Sequence, residues 1–146
     1  MIKIAIVGTG GIAEWHASAF KNHKDSEVIA ACDVNDDRLN EFCNKFEIEK
    51  RYNSVDELLE NNEIDAVTNT TPDAFHKEIS IKAIKKNKHI FCEKPLAENF
   101  EDAKLMCEAL EGKNLINMVN FSYRNSSGYQ ELCKMVKSEK IGNVFH

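Results

Sequence analysis

Lys3-Ile4-Ala5-Ile6-Val7-Gly8-Thr9-Gly10-Gly11-Ile12-Ala13 is the stretch on which the fold turns. Its first five residues are almost wholly apolar, the pattern of a strand covered on both faces. A glycine-rich bend follows. The chain then runs into an amphipathic stretch of helical length, about Gly11 to Asn22, for which Ile12, Trp15, Ala19 and Phe20 are the predicted buried stripe. Strand, G-x-G-x-x-A and helix, in that order, are the context a dinucleotide fingerprint requires. Gly8 permits the tight turn, Gly10 lets backbone amides approach a pyrophosphate, and the small Ala13 lets helix and strand lie close. The helix N-terminus attracts the phosphates. Gly8, Thr9, Gly10, Gly11, Ile12 and Ala13 are therefore candidate cofactor-binding residues.

Outward from this unit, short apolar runs keep alternating with amphipathic stretches, which predicts parallel strands joined by crossover helices. Strands are expected at Glu27–Cys32, around Tyr52, at Ile64–Thr70, His89–Cys92 and Leu115–Val119. Helices are expected from Asn35 or Asp36 to Phe46, with Leu39, Phe42, Cys43 and Phe46 inward, and at Val55–Glu60, where Ser54 and Glu57 read as a capping box. Further helices are expected at Phe75–Asn87, from the cap Asn99 to about Leu110 with Gly112 as terminator, and at Gly128–Lys137. The result is an α/β fold of Rossmann type, doubly wound, with a mainly parallel sheet and helices on both faces. Lys140–His146 reads as the start of one more strand, so the chain is expected to be truncated.

Composition narrows the function classes. The chain has 146 residues, 42% hydrophobic and 29% charged, with two prolines, which describes one globular domain rather than a disordered or fibrous segment. A net charge of -5 opposes nucleic-acid binding, which needs a basic face. Lys85, Lys86 and Lys88 form the one local basic cluster and are expected to be a solvated helix end. The first apolar run is too short for a membrane span or signal core, so a cytoplasmic protein is expected, with no membrane partner. Five cysteines without a C-x-x-C pair indicate neither a disulfide framework nor a metal site; most are expected to be small buried hydrophobes.

Asp33 ends the second predicted strand, 20 residues after Ala13, where a carboxylate can accept hydrogen bonds from the adenosine ribose. It would repel a 2′-phosphate, so NAD is favoured over NADP. A strand-end aspartate that merely caps the next helix would look the same.

Two later segments carry a resemblance to a known family. Thr70-Thr71-Pro72-Asp73-Ala74-Phe75-His76 and His89-Ile90-Phe91-Cys92-Glu93-Lys94-Pro95-Leu96-Ala97 resemble the paired signatures of the Gfo/Idh/MocA oxidoreductases, with Glu93 placed 17 residues after His76. Tyr123-Arg124 and Ile141-Gly142 also match, so the similarity extends over essentially the whole chain. The resemblance implies that Lys94 is catalytic, touching the reacting hydroxyl and the nicotinamide ribose, that Glu93 helps to hold the cofactor, and that the bond before Pro95 is often cis. It implies that Thr70, Thr71, Pro72 and His76 line the cofactor cleft, with Asn120 and Arg124 bordering the nicotinamide and substrate side. Where the family often continues with proline after Tyr-x-Arg, this chain reads Asn125-Ser126-Ser127, a departure that leaves the local substrate loop open.

The resemblance further implies a nucleotide-binding domain over residues 1–124, with 125–146 holding the last helix and the start of a connection to a substrate domain absent from this chain. The parent would be a homo-oligomeric dehydrogenase acting on a small sugar, polyol or cyclitol, while the fragment alone would bind cofactor without turnover. Lysine at a strand's carboxyl end suits that role on physical grounds too, because it borders the crevice in which doubly wound sheets bind ligands. An ammonium there is disfavoured beside the positive charge of oxidised nicotinamide, which fits it for proton transfer. His76 in a first helical turn serves equally to cap or pack, and His16 reads as structural. Two other readings compete: a non-catalytic NAD-binding regulator or ligand sensor, which an intact Lys94 counts against, and an S-adenosylmethionine-dependent methyltransferase, which leaves Glu93-Lys94-Pro95 without a reason.

Overall fold

The computed structural model describes residues 1–144. Six strands, β1 (Ile2–Val7), β2 (Ser26–Cys32), β3 (Lys50–Tyr52), β4 (Ala66–Asn69), β5 (His89–Glu93) and β6 (Asn117–Asn120), pair in the order β3-β2-β1-β4-β5-β6. Every pairing is parallel. The order reverses between β1 and β4, and there the two halves of a doubly wound sheet leave a crevice at the carboxyl ends of the strands.

Helices α1 (Gly11–Lys21) and α2 (Asp36–Phe46) cover one face, and α3 (Val55–Leu59), α4 (His76–Lys85) and α5 (Phe100–Glu108) the other. Alternation along the strands assigns residues to the two cores. Ala5, Val7, Ala30 and Cys32 face Leu58, Ile64, Ile79, Ala83 and Ile84, whereas Ile6 and Ala31 face Ala13, Ala17, Leu39, Phe42 and Cys43. Helix α6 (Ser127–Lys137) buries none of its residues and leaves Tyr129, Leu132 and Val136 exposed. No helix of the described residues is long and apolar enough to cross a membrane.

Asn35 and Asn99 cap α2 and α5 as expected, each side-chain oxygen accepting a backbone N–H three residues on, and Gly112 sits at φ +69° after α5. Four expectations fail. The inward face of α1 is Ala13, His16 and Ala17, while Trp15 and Ile12 are 77% and 42% exposed, Ala19 is exposed and Phe20 half-buried. Close approach to the sheet selects small residues four apart, and bulk apolar residues would hold the helix away. The Ser54 side chain makes no capping bond, and the helix opens on the backbone bond from Leu58 N–H to the Ser54 carbonyl. Lys88 is buried rather than solvated, with Nζ donating to the carbonyls of Ile64 at 2.7 Å and Asn61 at 3.2 Å. Lys140–Val144 forms a turn and an irregular segment instead of a strand, and the rest of that expected strand lies outside the described residues.

Cys32, Cys43 and Cys92 are buried, and Cys107 and Cys133 are exposed. Burial, reinforced by the carboxylates of Asp33 and Glu57, pushes the Cys32 thiol up to about 12. Burial likewise pushes Cys92 up to about 11.

Candidate functional site

The glycine turn sits at the carboxyl end of β1, in the crevice. Gly8 has φ +86°, and a Cβ there would lie 2.9 Å from the Thr71 amide nitrogen, so both conformation and space require glycine. The Thr70 hydroxyl lies 2.7 Å from the Gly8 carbonyl and 3.0 Å from that of Val7, which fastens the turn to the loop after β4. Thr70 is thus buried in support of the turn. Gly10 is the N-cap of α1 and carries no side-chain cap, and a Cβ on Gly10 or Gly11 would meet open space. Unsatisfied N–H groups at a helix start, with room above them, form a cradle for an anion.

Asp33 lies one residue beyond β2 and is 6% exposed. Its Oδ2 accepts from Thr9 N–H at 2.8 Å, the Thr9 hydroxyl at 2.9 Å and Arg38 Nε at 3.0 Å. Its Oδ1 accepts from Arg38 Nη2 at 2.7 Å and Asn35 N–H at 2.9 Å. Burial alone would raise this carboxyl, but the Arg38 guanidinium and the Thr9 and Asn35 donors outweigh it and hold the group well below the usual carboxylate range. A groove of about 410 Å³ runs beside it, bordered by Gly8, Val34, Arg38, Pro72 and Phe75.

A second hollow of about 390 Å³ lies across Thr71 and Pro72, which border both. Ile12, His76, Glu93, Lys94 and Pro95 line it. The loops on its two sides are tied together by His76, which is 1% exposed. Its Nδ1 lies 2.7 Å from the Pro95 carbonyl and its Nε2 2.8 Å from that of Thr71. The Lys94–Pro95 peptide bond is cis.

Below that hollow lies a polar network that no sequence motif announces. Glu93, 6% exposed, accepts at Oε1 from Asn120 Nδ2 at 2.6 Å and meets His16 Nε2 at 2.8 Å; its Oε2 accepts from Lys94 N–H at 3.1 Å. His16 Nδ1 in turn lies 2.8 Å from the Thr68 hydroxyl. A consistent assignment has Thr68 donating to Nδ1 and Nε2–H donating to Glu93. Burial raises the Glu93 carboxyl, yet the donors from Asn120, His16 and the Lys94 amide prevail and lower it. Its charge is therefore fixed and oriented by α1, β4, β5 and β6 together. Above it, Lys94 is exposed, and among the described residues nothing pairs with its ammonium.

The sequence-predicted residues thus divide. Gly8 and Asp33 border one end of the crevice, Ile12, His76, Glu93 and Lys94 line the other with Asn120 bonded beneath, and Thr71 and Pro72 border both. Arg124 joins neither, being exposed on the single turn Ser122–Asn125. Arg38, His16 and Thr68 were missed as site residues. The motif Asp33-x-x-x-x-Arg38, which sets Arg38 in the first turn of the helix after the strand that Asp33 follows, was the available signal for the first. Nothing local could have paired His16 with a glutamate 77 residues away.

Comparison with known proteins bears directly on this arrangement. A profile described as an oxidoreductase family with an NAD-binding Rossmann fold matches residues 2–121. The chain is 33% identical over 144 residues to glucose-6-phosphate 3-dehydrogenase of Bacillus subtilis, covering 99% of this chain and 40% of that protein. It is 34% identical over 141 residues to myo-inositol 2-dehydrogenase of Thermotoga maritima, covering 97% of this chain and 42% of that protein. The crystal structure of scyllo-inositol dehydrogenase from Lactobacillus casei with bound NAD(H) and scyllo-inositol superposes with a TM-score of 0.91 at 27% identity, over 98% of this chain and 43% of the other. The chain therefore spans about two fifths of the length of these relatives. With the glycine turn, the doubly wound sheet and a match over most of its length all in agreement, the chain belongs to the Gfo/Idh/MocA oxidoreductase family, as an NAD-binding Rossmann fold.

Proposed function

We propose that this chain is the nucleotide-binding part of a dehydrogenase that oxidises a secondary alcohol of a sugar, polyol or cyclitol, with NAD preferred to NADP. The observation that carries the reading is the alignment, along one crevice, of an open glycine cradle, a buried carboxylate at one end and an unpaired lysine at the other. Gly10, Gly11 and the N-terminus of α1 would hold the pyrophosphate, and Asp33 the adenosine ribose. Nicotinamide, when bound, supplies the hydride acceptor.

This chain's residues then bind, orient and move a proton. Glu93, anchored by Asn120 and His16, fixes the backbone at Lys94 through its amide. Lys94 projects into the open hollow, where its amine would accept or share the hydroxyl proton of the substrate as the carbinol hydrogen leaves. Thr71, Pro72 and His76 would shape the wall between the two ends. Residues 1–124 are assigned to this nucleotide-binding unit, and 125–146, including α6, to the passage toward a substrate-binding part. The names of the relatives support the substrate class. The exposed apolar side chains of α6 support assembly with further protein, a homo-oligomer included.

Calorimetric titration with NAD and NADP, followed by NADH formation across a panel of sugars and cyclitols by the full-length protein, tests the reading. Tighter NAD binding and turnover of at least one cyclic polyol are expected. Absence of nucleotide binding would sink it.

A further inference from the structure

Helix α1 meets both halves of the sheet. Gly10 stands at its N-terminus, where the anion cradle opens, and His16 follows six residues on, about 9 Å along the axis. His16 is 4% exposed, and its ring packs against Phe20 of the same helix and Phe91 of β5, with centroids 6.2 and 5.2 Å away. Apolar packing accounts for a ring in that place but not for its nitrogens. Nδ1 lies 2.8 Å from the Thr68 hydroxyl on β4, and Nε2 lies 2.8 Å from Glu93 Oε1 on β5. Both strands lie beyond the switch point, in the half of the sheet opposite to α2. The other α1 ion pairs among the described residues, Glu14 with Lys45 and Lys21 with Glu47, run to α2 and the residue after it. His16 is thus the polar tie from the helix of the cradle to the strands that carry Glu93 and Lys94.

The tie acts on one oxygen. Asn120 Nδ2 stands 3.2 Å from His16 Nε2 and directs its hydrogen to the same Oε1 at 2.6 Å, so Nε2–H is the second donor to that oxygen. Held twice at Oε1, the carboxylate has one orientation, and Oε2 is turned to the Lys94 N–H at 3.1 Å. Without the imidazole donor, Asn120 would be a single hold about which the carboxylate can turn.

Resting on the role given to Lys94 above, we propose that His16 is a positioning residue for Lys94. Its Nε2–H bond locks the carboxylate that fixes the Lys94 backbone, and its place on α1 sets that lysine against the cradle at the start of the helix. His16 lines neither hollow of the crevice and acts through Glu93. The effect falls on turnover rather than on nucleotide affinity, because neither the cradle nor Asp33 bonds to the imidazole.

Two amide side chains separate the two nitrogens. Glutamine can place its amide where Nε2 stands, and asparagine reaches only the place of Nδ1. In the full-length protein, His16→Asn should lower kcat about 10- to 100-fold, the scale of a small misplacement at a reacting group, and His16→Gln should recover most of that loss. The dissociation constant for NAD, by calorimetry, should change less than about threefold in both. A readout without nucleotide is the hydrogen exchange of the Lys94 amide by NMR, which should quicken about tenfold or more in His16→Asn and much less in His16→Gln, since a loosened carboxylate releases that N–H. If His16→Asn fails to fold, His16→Phe keeps a ring against Phe20 and Phe91, lacks the donor and carries the same comparison with glutamine. Equal losses in the glutamine variant and the variant without the donor would make His16 a packing residue and overturn the proposal. So would an unchanged Lys94 exchange rate, or a loss confined to nucleotide affinity. Those results, with Lys94→Ala inactive and wild-type protein binding NAD, leave the proposed function standing. An active Lys94→Ala, or no nucleotide binding by wild-type protein, overturns both.

Discussion

The two ends of the crevice are built in opposite ways. At the Asp33 end a buried carboxylate receives five donors, all within 33 residues of the sequence start or on the adjoining α2 turn. At the Lys94 end the buried group is Glu93, drawn into place by residues from four separate elements, and the residue it steadies is exposed with its ammonium unpaired. The first end is complete within this chain. The second presents an exposed lysine to an open hollow. Binding should accordingly depend on local residues at one end, and chemistry on a distributed network at the other.

The largest test of that division falls on Lys94. Lys94→Ala in the full-length protein should lower kcat/KM by about 10² to 10⁴ while shifting nucleotide affinity little, since an acid or base contributes on that scale and the cradle lies elsewhere. Steady-state kinetics beside calorimetry separates the two, and an active variant would remove Lys94 from the chemistry. Next comes Gly10→Val, whose branched side chain would fill the open space over the turn. Nucleotide affinity should drop about 100-fold, the equivalent of losing two hydrogen bonds to charged groups, with the circular dichroism spectrum unchanged. Normal binding by this variant would make the turn structural only.

Smaller effects probe the network. Glu93→Ala leaves Asn120, His16 and the Lys94 amide without their acceptor, which should cost about 1 to 3 kcal/mol of stability, several degrees in thermal midpoint by scanning calorimetry. An unaltered midpoint would mean that water replaces the carboxylate freely. The smallest signal is in pH. Asp33 and Glu93 are both held below the ordinary carboxylate range when folded, so their stabilisation is complete above the unfolded value near about 4 and is lost as pH falls through the depressed folded values. The acid limb of thermal stability should therefore be shallower in Asp33→Asn than in wild type, and parallel limbs would show that the carboxylate gains nothing on folding.

Legibility in the sequence followed how local each interaction is. The order of strands and helices, the glycine turn and the place of Asp33 could be read because each depends on neighbours within one turn or one strand. The buried face of α1 was misread, since large apolar residues outweighed Ala13, the small residue that the turn itself had already placed against the sheet. Lys88 resembled its solvated neighbours because the carbonyls it caps, at Asn61 and Ile64, lie more than 20 residues upstream. His16 looked structural for the same reason: Thr68 and Glu93 reach it only through sheet pairing. Periodicity reports which face is buried on average and carries no information on which polar groups meet there.

The cysteines give the sheet an unfolding clock of its own. Only the thiolate reacts with a disulfide reagent, so Cys32 and Cys92, with thiols pushed up to about 12 and about 11 inside the core, should stay silent in the native state along with buried Cys43. Cys107 and Cys133 should label at once. The slow phase then belongs to core thiols on two different strands and on α2, and its rate measures how often the interior opens to solvent. Saturating nucleotide should stretch that interval, because a ligand that binds only the folded state makes each opening rarer.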